Sequence, residues 1–320
     1  MLRYIVRRVL WGIALLVIVS AVVFVLFYVL PTADPAKLRA GRTANPQLIA
    51  QIREQLHLDE PIYVQFWDYL KGVFFHFDFG VSYLSQAPVR EIIFNRLPAT
   101  ALLVVGSVVL WLAMGLPVGI ISAVRRRSVM DRATMVTTLA FISAPVFWLG
   151  LVALYLFADD VGLIPIFPGQ GAYLTADTFL AKCGAMLLPW IVLAAASAAI
   201  YARYLRSSMI DTMAEDYIRT ARAKGLPERR VILKHALRSA ITPIITLLGL
   251  DVAVLLAGNA ILTETVFNIP GVGAETFNAI KRSDLPMIQG ITLFGAFFIV
   301  TLNLVVDIAY AYLDPRVRYE

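Results

Sequence analysis

The chain has 320 residues, of which 59% are hydrophobic and only 16% are charged, and its formal net charge is +6. This composition lies outside that of soluble globular domains and is typical of a membrane protein. The basic residues are not interleaved with aromatics as in a nucleic-acid interface, so no nucleic-acid partner is expected, and the single cysteine, Cys183, excludes an internal disulfide.

Six apolar runs in the sequence are long enough to cross a bilayer core of roughly 30 Å, which takes about 20 helical residues. Four of the runs contain no Asp, Glu, Lys or Arg, and two contain one interior acid each, Asp251 and Asp307. The predicted spans are residues 9–30, 99–124, 133–158, 183–202, 239–263 and 285–313. We therefore expect an all-α, polytopic membrane protein with a single transmembrane domain over residues 1–320.

The first apolar run has 22 residues, which is too long for the core of a secretory signal peptide, so we expect it to remain as a helix. Six spans place both termini on one side of the membrane. If that side is the cytoplasm, the inner segments hold 18 of the 28 Lys and Arg residues, in agreement with the positive-inside rule. The sequence predicts a multi-pass plasma-membrane protein with cytoplasmic N- and C-termini.

The polar segment 31–98, between the first two runs, is too long for a simple connection and should carry structure of its own. Apolar residues at helical spacing predict amphipathic helices at 47–58 and 61–75, and in the second of these Ile62 and Phe66 share a face. We expect a helical extracytoplasmic insertion. It either packs as a cap on the membrane helices or offers a docking surface to an external partner.

The sequence contains none of the short motifs that mark common enzymes. It has no phosphate-binding Gly-x-x-x-x-Gly-Lys-Ser/Thr loop, no Gly-x-Ser-x-Gly elbow and no His-Glu-x-x-His pair. The three histidines, His57, His76 and His235, are scattered singly, without partners at metal-ligand spacing. We expect no enzyme activity, no metal and no cofactor on this chain, and no ATP hydrolysis by the chain alone.

The loop of residues 203–238 is charged although it lies between two apolar runs. Apolar residues that include Tyr217 and Ala221 recur in it at helical spacing and predict one amphipathic helix from residue 211. Gly225 and the proline two residues later should end that helix, because glycine readily adopts the left-handed conformation and proline cannot continue a helix. A second helix should follow the turn. Such a loop could lie on lipid headgroups or enter a groove on another protein.

The loop resembles the cytoplasmic loop of the permease subunits of bacterial ATP-binding-cassette (ABC) importers, in residues 216–226, DYIRTARAKGL, and in the later Arg230-Val231 and His235-Ala236-Leu237-Arg238. The general importer loop has Glu and Ala where this chain has Arg219 and Thr220, and the dipeptide and oligopeptide branch shares that departure. Further segments resemble the first of the two permeases of that branch. They are 58–66, 78–82, 96–100, 264–267, 269–273, 286–290 and 303–316.

The resemblance implies the six-helix architecture of type I ABC importers and a set of partners. These are a second, similar permease, two ATPase subunits that bind ATP and magnesium, and an extracytoplasmic peptide-binding protein. In the family the loop helix sits in a groove of an ATPase, so closure of the ATPases around ATP turns the membrane cavity from inward-facing to outward-facing. The resemblance places this coupling role on Tyr217, Ile218, Ala221, Arg222, Ala223, Lys224, Gly225 and Leu226.

Two kinds of contact with an ATPase are expected from this helix. Tyr217, Ile218 and Ala221 should supply the face that the ATPase buries. Arg219 and Arg222 should form ion pairs with acids at the rim of the groove, and Lys224 should do the same.

An acid inside a span should face the helix bundle or an aqueous cavity, because a charge at mid-bilayer costs about 2.5 to 3.5 kcal/mol. Asp251, where relatives commonly have an uncharged amide, and Asn259 are candidates for the translocation path. Asp251 would there meet the terminal ammonium of a peptide; its alternative role is an internal hydrogen bond or helix packing. Asp307, which is matched in relatives, is expected to orient helices near the inner surface.

The sequence thus predicts a permease that imports di- and oligopeptides by alternating access. Relatives in the same branch take up nickel complexes, cell-wall peptides, glutathione or haem, so the substrate stays open. A gradient-driven secondary transporter, with Asp251 and Asp307 as coupling carboxylates, is a rival in which the loop has no purpose. A membrane scaffold or receptor would need neither proline-kinked spans nor buried acids.

Overall fold

The computed structural model describes residues 2–29, 36–37, 45–55 and 59–313. Within these ranges the structure is helical, with two isolated β-bridges and no β-strand, which confirms the all-α class. The helices are α1 (Leu2–Phe24), α2 (Pro46–Gln55), α3 (Ile62–Lys71), α4 (Val89–Val124), α5 (Val129–Ser143), α6 (Val146–Phe157), α7 (Ala172–Thr175), α8 (Phe179–Met213), α9 (Asp216–Ala223), α10 (Glu228–Arg230), α11 (Leu237–Ala240), α12 (Thr242–Val254), α13 (Ile261–Val266), α14 (Val272–Arg282) and α15 (Leu285–Leu313). Four π-helical stretches extend or join them: Val25–Val29, Gly72–His76, Val231–Ala236 and Leu255–Asn259.

Five helices in the described ranges are long and apolar enough to cross a membrane. They are Ile5–Val29, Val89–Val124, Phe179–Met213, Thr242–Asn259 and Leu285–Val306. There is a sixth span if α5 and α6 are counted together, although a bend of 101° separates them. The six predicted spans therefore correspond to five helices and one broken pair.

The span predicted at residues 133–158 is a broken pair of helices, because the chain bends by 101° between α5 and α6. Ala144 is extended, with φ −82° and ψ 128°, and Pro145 has φ −61° and ψ 135°. Proline has no N–H for the helix ladder and disfavours the α conformation in the residue before it. Pro145 thus accounts for the break.

Helices α4 and α8 are longer than the apolar runs that predicted them. α4 begins at Val89 and continues through Pro98, which the prediction placed in the outer segment. α8 continues to Met213, past the predicted end at residue 202. Lysine, arginine and glutamate are good helix formers, so a span read from apolarity alone is a lower bound on the helix. Residues 203–213 accordingly belong to α8, and the loop proper is residues 214–240.

The chain divides into two compact units. The first unit contains the described parts of 1–98, 256–258 and 271–320, and its core includes Val23, Ile93 and Phe294. Helices α1 and α15 lie close together in this first unit.

Helix α3 packs on the end of α1 within this first unit. The ring of Phe66 lies 5.2 Å from that of Phe24, and the ring of Tyr69 lies 5.5 Å from Phe24 and 5.8 Å from Tyr28. Aromatic rings at these separations attract each other beyond the area that they bury. The packing agrees with the cap interpretation for α3, although Ile62, which was expected on the same face, is exposed.

The second unit, residues 99–255 and 259–270, is organised around a close crossing of α4 and α8. A Cβ at Gly115 or Gly119 would lie 2.8 Å from the carbonyl oxygens of Ala198 and Ala202 respectively. Small residues four positions apart let two membrane helices approach to backbone contact. The core of this unit continues from the crossing to the loop, and Trp111 is part of it.

Candidate functional site

The loop helix α9 is separate from the span that precedes it. α8 ends at Met213, and Glu215 is extended, with φ −66° and ψ 148°, before α9 begins at Asp216. The prediction of one helix from residue 211 is therefore wrong at its start. Neither glycine nor proline stands at this break, so the composition of the loop offers no signal for it.

One face of α9 is buried inside the chain itself. Ile218 has no exposed surface and Ala221 is 7% exposed. Both belong to the core cluster that also contains Leu205 of α8 and, after the turn, Val231 and Ala236. The expectation that Ile218 and Ala221 face an ATPase is wrong, because their own chain already covers them. They instead hold α9 against α8 and the returning segment.

The turn after α9 depends on the conformation of Gly225. Its φ is +73°, in the left-handed region, and its N–H donates to the carbonyl of Arg222 over 2.9 Å. The N–H of Leu226 donates to the carbonyl of Ala221 over 3.4 Å. A Cβ on Gly225 would meet no atom within 4 Å, so within this chain the requirement for glycine is conformational rather than steric. The predicted glycine stop is confirmed.

A bidentate ion pair closes the same turn. Arg222 donates from Nε to Oε2 of Glu228 over 3.1 Å and from Nη2 to Oε1 over 2.7 Å. Arg222 thereby lowers the pKa of Glu228, and Glu228 raises the pKa of Arg222. Glu228 thus uses two donors of the Arg222 guanidinium, and the expected ion pair between Arg222 and an acid on a partner stays a prediction.

The rest of the α9 surface is exposed. Tyr217 is 44% exposed, and its hydroxyl donates to the hydroxyl of Ser239 over 3.0 Å. The Arg219 side chain is 72% exposed, and Ala223 and Lys224 are exposed beyond it. We call Tyr217, Arg219, Ala223 and Lys224 the exposed α9 face. It is an aromatic and cationic surface whose contacts within this chain are exposed polar ones, Tyr217 with Ser239 and Arg219 with Asp216.

Asp251 on α12 is anchored on one side and open on the other. The hydroxyl of Tyr201 donates to its Oδ2 over 2.8 Å, and Tyr201 itself is buried with its ring 5.5 Å from that of Trp111. The Asp251 side chain is nevertheless exposed on the surface of this chain. The internal hydrogen bond that was one alternative for Asp251 is therefore present, and the remainder of the carboxylate is free to meet something outside the chain.

The other two candidate residues of the spans are not brought to this site. Asn259 is exposed and ends the π-helical stretch after Gly258, whose φ of +99° interrupts the helix. No hydrogen bond within the described ranges joins Asn259 to Asp251. The side chain of Asp307 lies outside the described residues. The roles of Asn259 and Asp307 stay predictions.

Two buried acids that the sequence did not single out hold distant segments together. Asp284 accepts hydrogen bonds from the hydroxyl of Ser82 over 2.5 Å and from the N–H of Tyr83 over 3.1 Å. Glu264 accepts one from the hydroxyl of Thr100 over 2.7 Å. Each acid lies in or beside a segment that resembles the importer permeases, and these pairings give those segments a structural role.

Comparison with known proteins decides the family. Residues 115–319 match the binding-protein-dependent transport system inner membrane component family, and residues 1–104 match the N-terminal family of binding-protein-dependent transport system membrane components. The chain belongs to the binding-protein-dependent inner-membrane permeases.

The permease is also similar over its full length to named transport proteins. It is 40% identical to the glutathione transport system permease protein GsiC of Escherichia coli (strain K12), over 320 residues that cover all of both chains. The GsiC proteins of Salmonella typhi and Salmonella choleraesuis (strain SC-B67) have the same identity and coverage. These matches confirm the resemblance to ABC importer permeases of the dipeptide and oligopeptide branch. The chain is a bacterial membrane permease and belongs to a transport family rather than to an enzyme family.

Proposed function

We propose that the permease forms half of the translocation path of an ATP-driven importer and receives its energy through the exposed α9 face. The supporting observation is that some residues of α9 are buried in the core of this chain while others are exposed. Ile218 and Ala221 anchor the helix to its own core, while Tyr217, Arg219 and Lys224 remain outside it. An exposed aromatic residue beside cations is the kind of surface that anchors in a groove on another protein.

The buried contacts of Ile218 and Ala221 explain how a displacement of α9 reaches the membrane helices. Protein interiors are close-packed and transmit displacement rather than absorb it. Since Ile218 and Leu205 lie in one buried cluster, a partner that moves α9 also moves the end of α8. In this proposal ATP and magnesium are bound by two separate ATPase subunits, and this chain carries no cofactor.

The remaining partners follow from the same assignment. A second, similar permease completes the path, and both termini and the loop lie on the cytoplasmic side. The insertion of residues 31–98 then lies outside, where Phe66 and Tyr69 fasten α3 to α1. Tyr63 and Trp67 on α3 are exposed and available to the substrate-binding protein.

We further propose that Asp251 lines the translocation path. A charged carboxylate that faced lipid at mid-span would cost about 2.5 to 3.5 kcal/mol, so its open side should face water or the second permease. The hydrogen bond from Tyr201 fixes one oxygen and leaves the other for a cationic group. Asn259, which is also exposed, is the second candidate for the path.

Short peptides are the substrates that this site supports best, because the terminal ammonium group of a peptide can form an ion pair with the carboxylate of Asp251. Glutathione is a second candidate, favoured by the names of relatives that are 40% identical to this chain. Specificity between these substrates rests largely with the binding protein.

The test is reconstitution of the permease with its companion subunits in vesicles. The ligand that the purified binding protein holds is first identified by mass spectrometry, and its uptake is then measured with ATP on the ATPase side. The proposal predicts uptake that needs ATP and survives collapse of the proton gradient. Uptake that persists without ATP and stops when the gradient collapses would establish a secondary transporter instead.

A further inference from the structure

A buried ion pair at the start of α5 has no role in the function proposed above. Asp131 is 3% exposed and accepts hydrogen bonds from Nε of Arg206 over 2.7 Å and from Nη2 of Arg206 over 2.8 Å. It also accepts one from the backbone N–H of Arg127 over 2.9 Å and one from the hydroxyl of Ser122. Four donors therefore converge on one buried carboxylate.

This arrangement points to positioning rather than to stability. A buried ion pair is often no more stable than an apolar pair of the same volume, so its presence calls for a geometric reason. The bidentate fork of arginine fixes direction as well as distance. Asp131 also holds Arg127 in a left-handed conformation, φ +65°, that residues other than glycine rarely adopt.

The donors of Asp131 come from each neighbouring element. Ser122 lies on the last turn of α4, Asp131 on the first turn of α5, and Arg206 on α8, within two turns of its end at Met213. The same stretch of α8 contributes Leu205 to the cluster that buries α9. A displacement of α9 would therefore act on the turn of α8 that carries Arg206.

An open groove lies farther along these helices, beside the close crossing of α4 and α8. A groove of about 360 Å³ runs between α4, α5 and α8, lined mainly by small and β-branched residues such as Gly115, Thr134 and Ala198. The polar connection at Asp131 thus lies at one end of a groove that α5 does not close. At its other end α5 is separated from α6 by the bend at Pro145.

We propose that Asp131 and Arg206 are positioning residues that fasten α5 to α8, so that movement of α9 displaces the ends of α4, α5 and α8 as one body. The bend between Ser143 and Val146 is where that body moves relative to α6. The proposal rests on the proposed function, because it assigns the next step of the same energy transfer.

The first experiment separates coupling from folding with two variants of the reconstituted importer. Asp131→Asn removes the charge, and Arg206→Lys keeps a charge but loses the two-pronged contact. For both we expect uptake per assembled complex to fall about tenfold or more while ATP hydrolysis stays within about twofold, so that more ATP is spent per substrate. Asp68→Asn, which breaks an exposed ion pair with Lys71, is the matched control and should leave that ratio unchanged.

The second experiment does not need these variants to fold. In a Cys183→Ala background, spin labels at Val129 and Ser207 report the distance between α5 and α8, and labels at Val129 and Leu151 report the distance between α5 and α6. All three positions are exposed. We expect the first distance to stay constant and the second to change between the nucleotide-free and the nucleotide-trapped importer.

The outcomes distinguish the two proposals. An unaltered ratio of ATP to substrate in both variants, or a Val129 to Ser207 distance that changes as much as the Val129 to Leu151 distance, would overturn the fastening role. Uptake by the unmodified importer that does not depend on ATP would overturn the proposed function first.

Discussion

Ser82 and Asp284 are 202 residues apart in sequence and are joined by a buried hydrogen bond of 2.5 Å. The hydroxyl of Ser82 also accepts from the N–H groups of Leu84 and Ser85, so one side chain organises a turn and binds an acid from the far end of the chain. This pairing joins two segments that are far apart in the sequence into one structural unit.

Removal of that pairing should weaken the first unit. Ser82→Ala leaves the buried carboxylate of Asp284 with one donor fewer, and hydrogen bonds to charged groups contribute roughly 1.5 to 3 kcal/mol. We expect the free energy of unfolding in detergent to fall by about that amount. Ser85→Ala, an exposed change in the same turn, should have no measurable effect. Equal stability of the two variants would contradict the assignment.

Gly225 should tolerate asparagine and reject valine. The left-handed conformation costs an ordinary residue about 1 to 2 kcal/mol, more for a β-branched one, whereas asparagine adopts it readily. A strain of that size leaves roughly a tenth of the loops in the competent conformation, so Gly225→Val should lower ATP-driven uptake about tenfold at unchanged membrane level. Gly225→Asn should retain most of the uptake. A valine variant as active as the unmodified permease would show that the turn can be formed another way.

The ion pair between Arg222 and Glu228 predicts that the stability of this turn depends on pH. Arg222 holds the pKa of Glu228 below its ordinary value of 4.5, so the pair contributes stability above that pH and loses it as the pH falls through the lower folded value. Because both side chains are largely exposed, the contribution is small.

The measurement for this pair is amide exchange of Leu226, corrected for its intrinsic rate. Its protection should be the same at pH 7 and pH 6 and should decrease on acidification below about pH 4.5. In Glu228→Gln the protection should be slightly lower than that of the unmodified permease at pH 7, and it should not change with pH. An acid response that survives in Glu228→Gln would assign the effect to another group.

Asp251 should discriminate between free and blocked peptide amino groups. Asp251→Asn removes the charge but keeps an acceptor for Tyr201, so helix packing should survive. We expect KM for a peptide with a free ammonium to rise about tenfold, which is about 1.4 kcal/mol, with little change for its N-acetylated form. Equal effects on both peptides, or none, would remove Asp251 from the path and leave the hydrogen bond with Tyr201 as its role.

Local features of this fold were predictable from the residues alone, and distant pairings were not. The glycine stop at Gly225 depends on one residue and its neighbours, and it was predicted correctly. The break at Pro145 has a local cause as well, but a proline inside a long apolar run predicts a kink as readily as a break. Apolarity measures how much of a helix lies in lipid, so it could not show that α8 continues to Met213.

The burial of α9 shows most clearly what the sequence alone could not predict. Periodicity identified Ile218 and Ala221 as an apolar face but could not say what covers it. The answer lies in Val231 and Ala236, across the turn, and in Leu205 on the preceding span. Ion pairs such as Asp131 with Arg206 were missed for the same reason, since charged residues beside a span normally face water.

The central claim, that energy enters through the exposed α9 face, is tested most directly by photo-cross-linking in the assembled importer. A cross-linker at Lys224 should form adducts with an ATPase subunit, and the yield should change between nucleotide-free and ATP-bound states. The same group at Trp67, which is also exposed but lies on α3, should form no adduct with an ATPase subunit. Adducts of Lys224 with lipid alone would contradict the account.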